Sequence, residues 1–162
     1  MFRTKDFTGK DIEFDCLSCD LVNGKVNPPG GMIYEDDTVT LAADIEVPIK
    51  GFIILAPKRH VKEFDELSTE EVCHLSVVLK HAIKALKSLK VCENVEVYFE
   101  EKHHLHIWIM PQHEWMKENN YAIKRGSKEL FELAKGRAKR DGIEEILETI
   151  ERLKRFFADT MR

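Results

Sequence analysis

Residues 95–111 read VEVYFEEKHHLHIWIMP, and the fold turns on the second half of that stretch. Along His104-Leu105-His106-Ile107-Trp108-Ile109, aliphatic side chains alternate with imidazoles and an indole. Successive side chains of a strand point to opposite faces, so His104, His106 and Trp108 are expected on one face and Leu105, Ile107 and Ile109 on the other. The aliphatic face suits a core and the imidazole face suits chemistry. Upstream, residues 94–99 (NVEVYF) read as a strand and Glu100-Glu101-Lys102 as a tight turn, which together predict an antiparallel hairpin.

Working outward, residues 51–56 (GFIILA) form a continuous apolar run short enough for a central strand buried on both faces. Ile33-Tyr34 and residues 38–41 (TVTL) flank Glu35-Asp36-Asp37 and predict a second hairpin. Between these segments, residues 69–89 carry Val72, Leu75, Leu79, Ala82, Ile83 and Leu86 at helical spacing, behind Ser68 and Glu71 as a capping box. His74 and His81 fall off that stripe and are expected at the surface. Residues 1–15 show no period and read as an irregular arm. Beyond Pro111, residues 112–125 are polar, with Trp115 and Tyr121 as anchors. Residues 127–138 read as helix, Asp141-Gly142 as a break, and Ile143, Ile146, Leu147, Ile150, Leu153 and Phe157 as a second helical stripe. The expected fold is α+β: an antiparallel sheet with one long helix over residues 1–111. Residues 112–162 are a C-terminal helical extension, packed on the same domain or on a partner.

At 162 residues the chain suits one domain with a modest extension. A net charge of -4 and a pI near 6.0 argue against a nucleic-acid partner. No apolar run of transmembrane length and no signal-like N-terminus appear, so a cytoplasmic protein with no membrane partner is expected.

Three patterns bear on chemistry. Cys16 and Cys19 form CxxC ahead of a Pro/Gly-rich loop, and with His60 and His104 they make a thiolate and imidazole set of the kind tetrahedral zinc prefers. Structural cysteines and redox chemistry are the alternatives; Cys73 and Cys92 read as small buried hydrophobes. His106 on a rigid strand could attack phosphorus through one ring nitrogen if the other donates to a fixed acceptor. Neither a Walker-type nor a dinucleotide glycine loop is present, which leaves Lys58, Arg59 and Lys102 as sources of positive charge.

These residues resemble the histidine-triad (HIT) superfamily of nucleotide hydrolases and transferases. HLHIWIMP over 104–111 is similar to its His-x-His-x-His motif, CLSC to its N-terminal CxxC, and YEDDTVTLAADIEVPIKGFIILAPKRHV to its central stretch. The resemblance implies that His106 attacks an α-phosphate and forms a nucleotidyl-histidine, released by water or by a second phosphate. It implies that Asp44 bonds the ribose hydroxyls and that a nucleotide or nucleotide conjugate is the ligand, with Lys102 and Trp108 beside it. By similarity to the galactose-1-phosphate uridylyltransferase branch, Cys16, Cys19, His60 and His104 would hold a structural zinc. It also implies a homodimer, to which the last helix could contribute. The chain departs from the pattern at Trp108, where the family has histidine or glutamine. It departs again at residues 99–103 (FEEKH), where the family has a glycine-rich polar segment. A zinc-stabilised domain that binds a nucleotide or a protein with little catalysis is the alternative function.

Overall fold

The computed structural model describes residues 1–101, 103–118 and 128–161. Seven strands are present among them: β1 (Phe2–Lys5), β2 (Asp11–Phe14), β3 (Tyr34–Glu35), β4 (Val39–Ala43), β5 (Ile53–Pro57), β6 (Asn94–Glu100) and β7 (His106–Gln112). The helices are α1 (Leu17–Val22), α2 (Thr69–Ser88), α3 (Glu114–Glu118), α4 (Lys128–Asp141) and α5 (Glu144–Thr160). Strands β3 to β7 form one antiparallel sheet in the order β3-β4-β5-β7-β6. This is the α+β arrangement expected from the sequence.

The GFIILA run becomes β5, between β4 and β7 in the sheet. Gly51 admits the chain to it: φ is +80°, and a Cβ there would lie 2.6 Å from Val91 Cγ1, so the close approach and the left-handed turn both require glycine. Helix α2 starts where the capping box places it. The Glu71 amide donates to Ser68 Oγ at 3.2 Å and the Ser68 amide to a Glu71 carboxylate oxygen at 2.7 Å. Its stripe, Leu75, Val78, Ala82, Ala85 and Leu86, packs on one face of the sheet against Leu105, Ile107 and Ile109, all fully buried. Helix α5 joins the same core through Ile146, Ile150, Leu153 and Phe157. Arg152 donates to the Leu89 carbonyl at 2.6 Å, and Gly30 makes room for Ile150.

The opposite face of the sheet is covered by a second cluster. Val47, Ile49 and Phe52 from the β4–β5 connection meet Met110, with Met116 of α3 and Leu130 and Ala134 of α4. Trp108 belongs to this cluster, edge-on to Phe52 (centroids 5.5 Å apart) and tilted against Phe131 of α4 (5.9 Å).

The structure corrects several expectations. Residues 1–15 contain a paired hairpin, β1–β2, with Phe2 opposite Phe14. Its turn is organised by buried Asp6, which accepts from the Thr8 amide and hydroxyl and from the Lys10 amide. Its strands are tied by Arg3–Glu13 (2.7 Å) and Lys5–Asp11 (2.6 Å), opposite charges at facing positions. Cys73 is exposed. His74 is half-buried and its Nε2 lies 2.6 Å from Asp36, while His81 is also half-buried. Tyr121 and Lys102 lie outside the described residues.

Candidate active site and metal centre

Strand β7 begins at His106, so His104 sits just ahead of it. The Leu105 amide donates to the Val61 carbonyl at 2.8 Å, which fastens this segment beside β5. His104 is almost fully buried, and its Nε2 donates to the Pro57 carbonyl at 2.9 Å. A carbonyl can only accept, so the proton is on Nε2 and Nδ1 carries the lone pair. Burial lowers the His104 pKa, which keeps the ring neutral as a ligand.

That Nδ1 faces the CxxC. Cys16 caps the N-terminus of α1, and Cys19 lies within its first turn. The His104 Nδ1 is 3.5 Å from each sulfur, and the His60 Nδ1 is 3.7 Å from Cys16 and 3.1 Å from Cys19. All four ligand atoms lie within 4.8 Å of one another. A tetrahedral zinc with bonds of about 2.3 Å to sulfur and about 2.0 Å to nitrogen sets sulfur and nitrogen about 3.6 Å apart. The donor set and its spacing therefore fit a metal ion. Burial and the neighbouring Cys16 push the Cys19 thiol up to about 11. The Pro57 carbonyl supplies the outer contact that orients a metal-binding imidazole.

His106 is held by the main chain two residues away: its Nδ1 donates to the His104 carbonyl at 2.8 Å. The tautomer is thereby fixed and Nε2 projects into the site. The Nε2 lies 3.2 Å from Glu100 Oε2, the residue directly opposite across β6–β7. The adjacent Glu101 turns elsewhere and accepts from the Phe64 amide at 3.0 Å. Of these two adjacent carboxylates, only Glu100, the last residue of β6, faces the histidine. A cleft of about 400 Å³ opens beside His106, walled by Phe2, Phe14 and Leu17 and by His60, His103 and His104.

Asp44 follows β4 and closes a short turn, with its Oδ1 accepting from the Glu46 and Val47 amides at 2.9 and 2.7 Å. Part of the residue reaches solvent, yet the carboxyl is enclosed, and desolvation raises its pKa to about 6 against those two amides. His106 is close enough for its charge to act on this group. Two of the cations expected beside phosphate, Lys58 and Arg59, are engaged elsewhere. Lys58 faces Glu35 at 3.4 Å, and Arg59 grips both oxygens of Glu71. Glu100 is the residue that sequence reasoning did not assign; its signal was its position facing His106 across the hairpin.

The HIT domain model matches residues 25–115. An uncharacterized HIT-like protein of Methanocaldococcus jannaschii is 32% identical over 105 residues, covering 61% of this chain and 80% of that protein. The structure is similar to a Zn-bound histidine triad family protein from Mycobacterium smegmatis, with a TM-score of 0.63, 17% identity and coverage of 90% of this chain and 94% of that one. A Hit-like protein involved in cell-cycle regulation from Bartonella henselae, solved with an unknown ligand, gives a TM-score of 0.62 at 17% identity over 89% and 98% of the two chains.

Proposed function

The chain belongs to the HIT family, and from that premise we propose that it is a nucleotide hydrolase or nucleotidyltransferase whose nucleophile is His106. The observation that carries this reading is the His106 ring itself. With Nδ1 anchored on the His104 carbonyl, Nε2 is the nitrogen presented to a phosphate. In the first half-reaction an Nε2–P bond forms at the α-phosphate as the bond from phosphorus to the leaving group breaks. In the second, water or an acceptor phosphate attacks and the N–P bond is cleaved. Asp44 would receive the ribose hydroxyls beside this centre. Residues 1–111 would form the catalytic domain, extended by residues 112–162, and a homodimer is the assembly the family suggests. Cys16, Cys19, His60 and His104 would hold zinc in a structural role, stiffening the approach to β7 and fixing the carbonyl on which His106 rests.

The test is to trap the intermediate. Incubation with labelled dinucleoside polyphosphates and nucleoside phosphoramidates is expected to leave acid-labile label on the protein and none on His106→Ala. Absence of label and turnover across the panel would leave the second reading, a zinc-stabilised nucleotide- or protein-binding domain. Trp108, locked among Phe52 and Phe131 and unable to move a proton, favours that second reading.

A further inference from the structure

We propose that Glu100 is the acid–base residue of this site, doing from β6 the work that a third histidine would do from position 108. The proposal rests on the reading of His106 as nucleophile.

Three independent placements lead to it. First, β6 and β7 pair so that Glu100 stands directly opposite His106, and its Oε2 comes within 3.2 Å of Nε2. With Nδ1 committed to the His104 carbonyl, the contact falls on the reacting nitrogen. Second, the neighbouring Glu101 is fixed on the Phe64 amide, so one of the two carboxyls is delivered to the site. Third, the next position along the catalytic face is closed to acid–base chemistry. Trp108 offers only an indole N–H, and its ring packs against Phe52 and Phe131. Glu100 itself is half exposed, with room to swing from Nε2 toward a bound phosphate ester.

The proton balance follows from that geometry. The step starts with one proton on the Glu100 carboxyl, whose Oε2 lies 3.2 Å from a His106 Nε2 that keeps its lone pair. When substrate enters, the Glu100 carboxyl carries that proton to the atom leaving phosphorus. The Nε2–P bond forms, the bond to the leaving group breaks, and the leaving group departs neutral. Glu100 is left as a carboxylate beside the nucleotidyl-histidine. It then takes a proton from the attacking water as the new O–P bond forms and the N–P bond breaks, and both residues return to their starting state. One carboxyl acts first as acid and then as base, as the reversal of roles between the two half-reactions requires.

A leaving group that needs no proton should make Glu100 dispensable in the first half-reaction, while hydrolysis of the shared intermediate still needs it. The experiment compares Glu100→Gln with the unaltered chain on two substrates of one nucleoside 5′-phosphate, a p-nitrophenyl ester and an alkylamine phosphoramidate. Read as the single-turnover rate of leaving-group release, before the shared intermediate is hydrolysed, the expected result is a loss of about 10²–10⁴-fold on the phosphoramidate and less than about threefold on the p-nitrophenyl ester. Equal losses on both substrates, or no loss on either, would overturn the assignment. His106→Ala separates this failure from failure of the underlying reading. If His106→Ala loses both substrates while Glu100→Gln loses neither, the nucleophile stands and Glu100 does not. If His106→Ala retains both, or the unaltered chain turns over neither, the nucleophile falls and the proposal falls with it.

Discussion

Asp44→Asn should make the protein more stable at neutral pH while weakening its hold on a nucleoside. The carboxyl is enclosed just after β4, and desolvation raises its pKa to about 6 although the Val47 and Glu46 amides work the other way. The sign follows from the direction of the shift. A carboxyl whose pKa is higher in the folded chain than in the unfolded one contributes most to stability below the unfolded value, near 3.8. That contribution is lost as pH rises through about 6. The gap between the two values is worth about 3 kcal/mol, and solvent contact at the residue brings the expectation to about 2 kcal/mol. Asparagine keeps a carbonyl oxygen for the Glu46 and Val47 amides, so the turn is retained. Urea unfolding at pH 4, 6 and 8 should show Asp44→Asn gaining on the unaltered chain as pH rises, by about 2 kcal/mol at pH 8 and nothing near pH 4. Equilibrium binding of a nucleoside monophosphate should weaken in the same variant. A gain that is absent at pH 8, or that does not change with pH, would refute the reasoning. It would mean that the Asp44 carboxyl is hydrated like any surface acid.

Asp36 accepts from the Tyr34 hydroxyl, the Thr38 and Val39 amides and His74, and these contacts outweigh burial to hold its pKa at about 2. Its depressed value stabilises the fold above about pH 4 and is lost as pH falls toward 2. Asp36→Asn should therefore cost about 2 kcal/mol at pH 7 and about nothing near pH 2, read by denaturant unfolding at each pH. Elemental analysis of the purified chain should find about one zinc per chain, and Cys16→Ala/Cys19→Ala should remove it; unchanged metal content in the double variant would dismiss the ligand set. Phe157→Ala, which empties a fully buried position of α5 beside Tyr34, should cost about 3–5 kcal/mol. A cost below about 1 kcal/mol would mean that α5 is not part of the main core.

Where an element is specified by its own residues, the sequence already announced it. Helix α2 was readable because its cap and its stripe are local, and β5 because five apolar residues between turns can scarcely be anything else. That Cys16, Cys19, His60 and His104 would come together was expected from residue type and from the family resemblance, and the structure brings their ligand atoms within 4.8 Å of one another. The hairpin β1–β2 was not readable, because cross-strand charge pairs and the turn around Asp6 stabilise it in place of an apolar alternation. Asp36 with His74 was missed for a related reason: the partners are 38 residues apart.

The two departures from the family motif need register and tertiary packing to be understood, and together they have one explanation. A shift of one residue in the β6–β7 pairing would exchange Glu100 for Glu101 opposite His106, so only the observed register identifies the carboxyl in the site. Trp108 lies on the same face as His106, but α4 brings Phe131 down on it from the far side of the chain. An imidazole at that position would be desolvated between Phe52 and Phe131 and forced toward its neutral form, with little to offer a leaving group. The face is therefore divided between β7 residues two apart: His106 opens to the cleft and Trp108, partly buried, packs against the second cluster. On the proposed reading of His106 as nucleophile, with α4 packed on the third position of the triad, acid–base chemistry would come from a neighbour of His106 on another strand. Glu100, the cross-strand partner already in contact with Nε2, is the group placed to supply it.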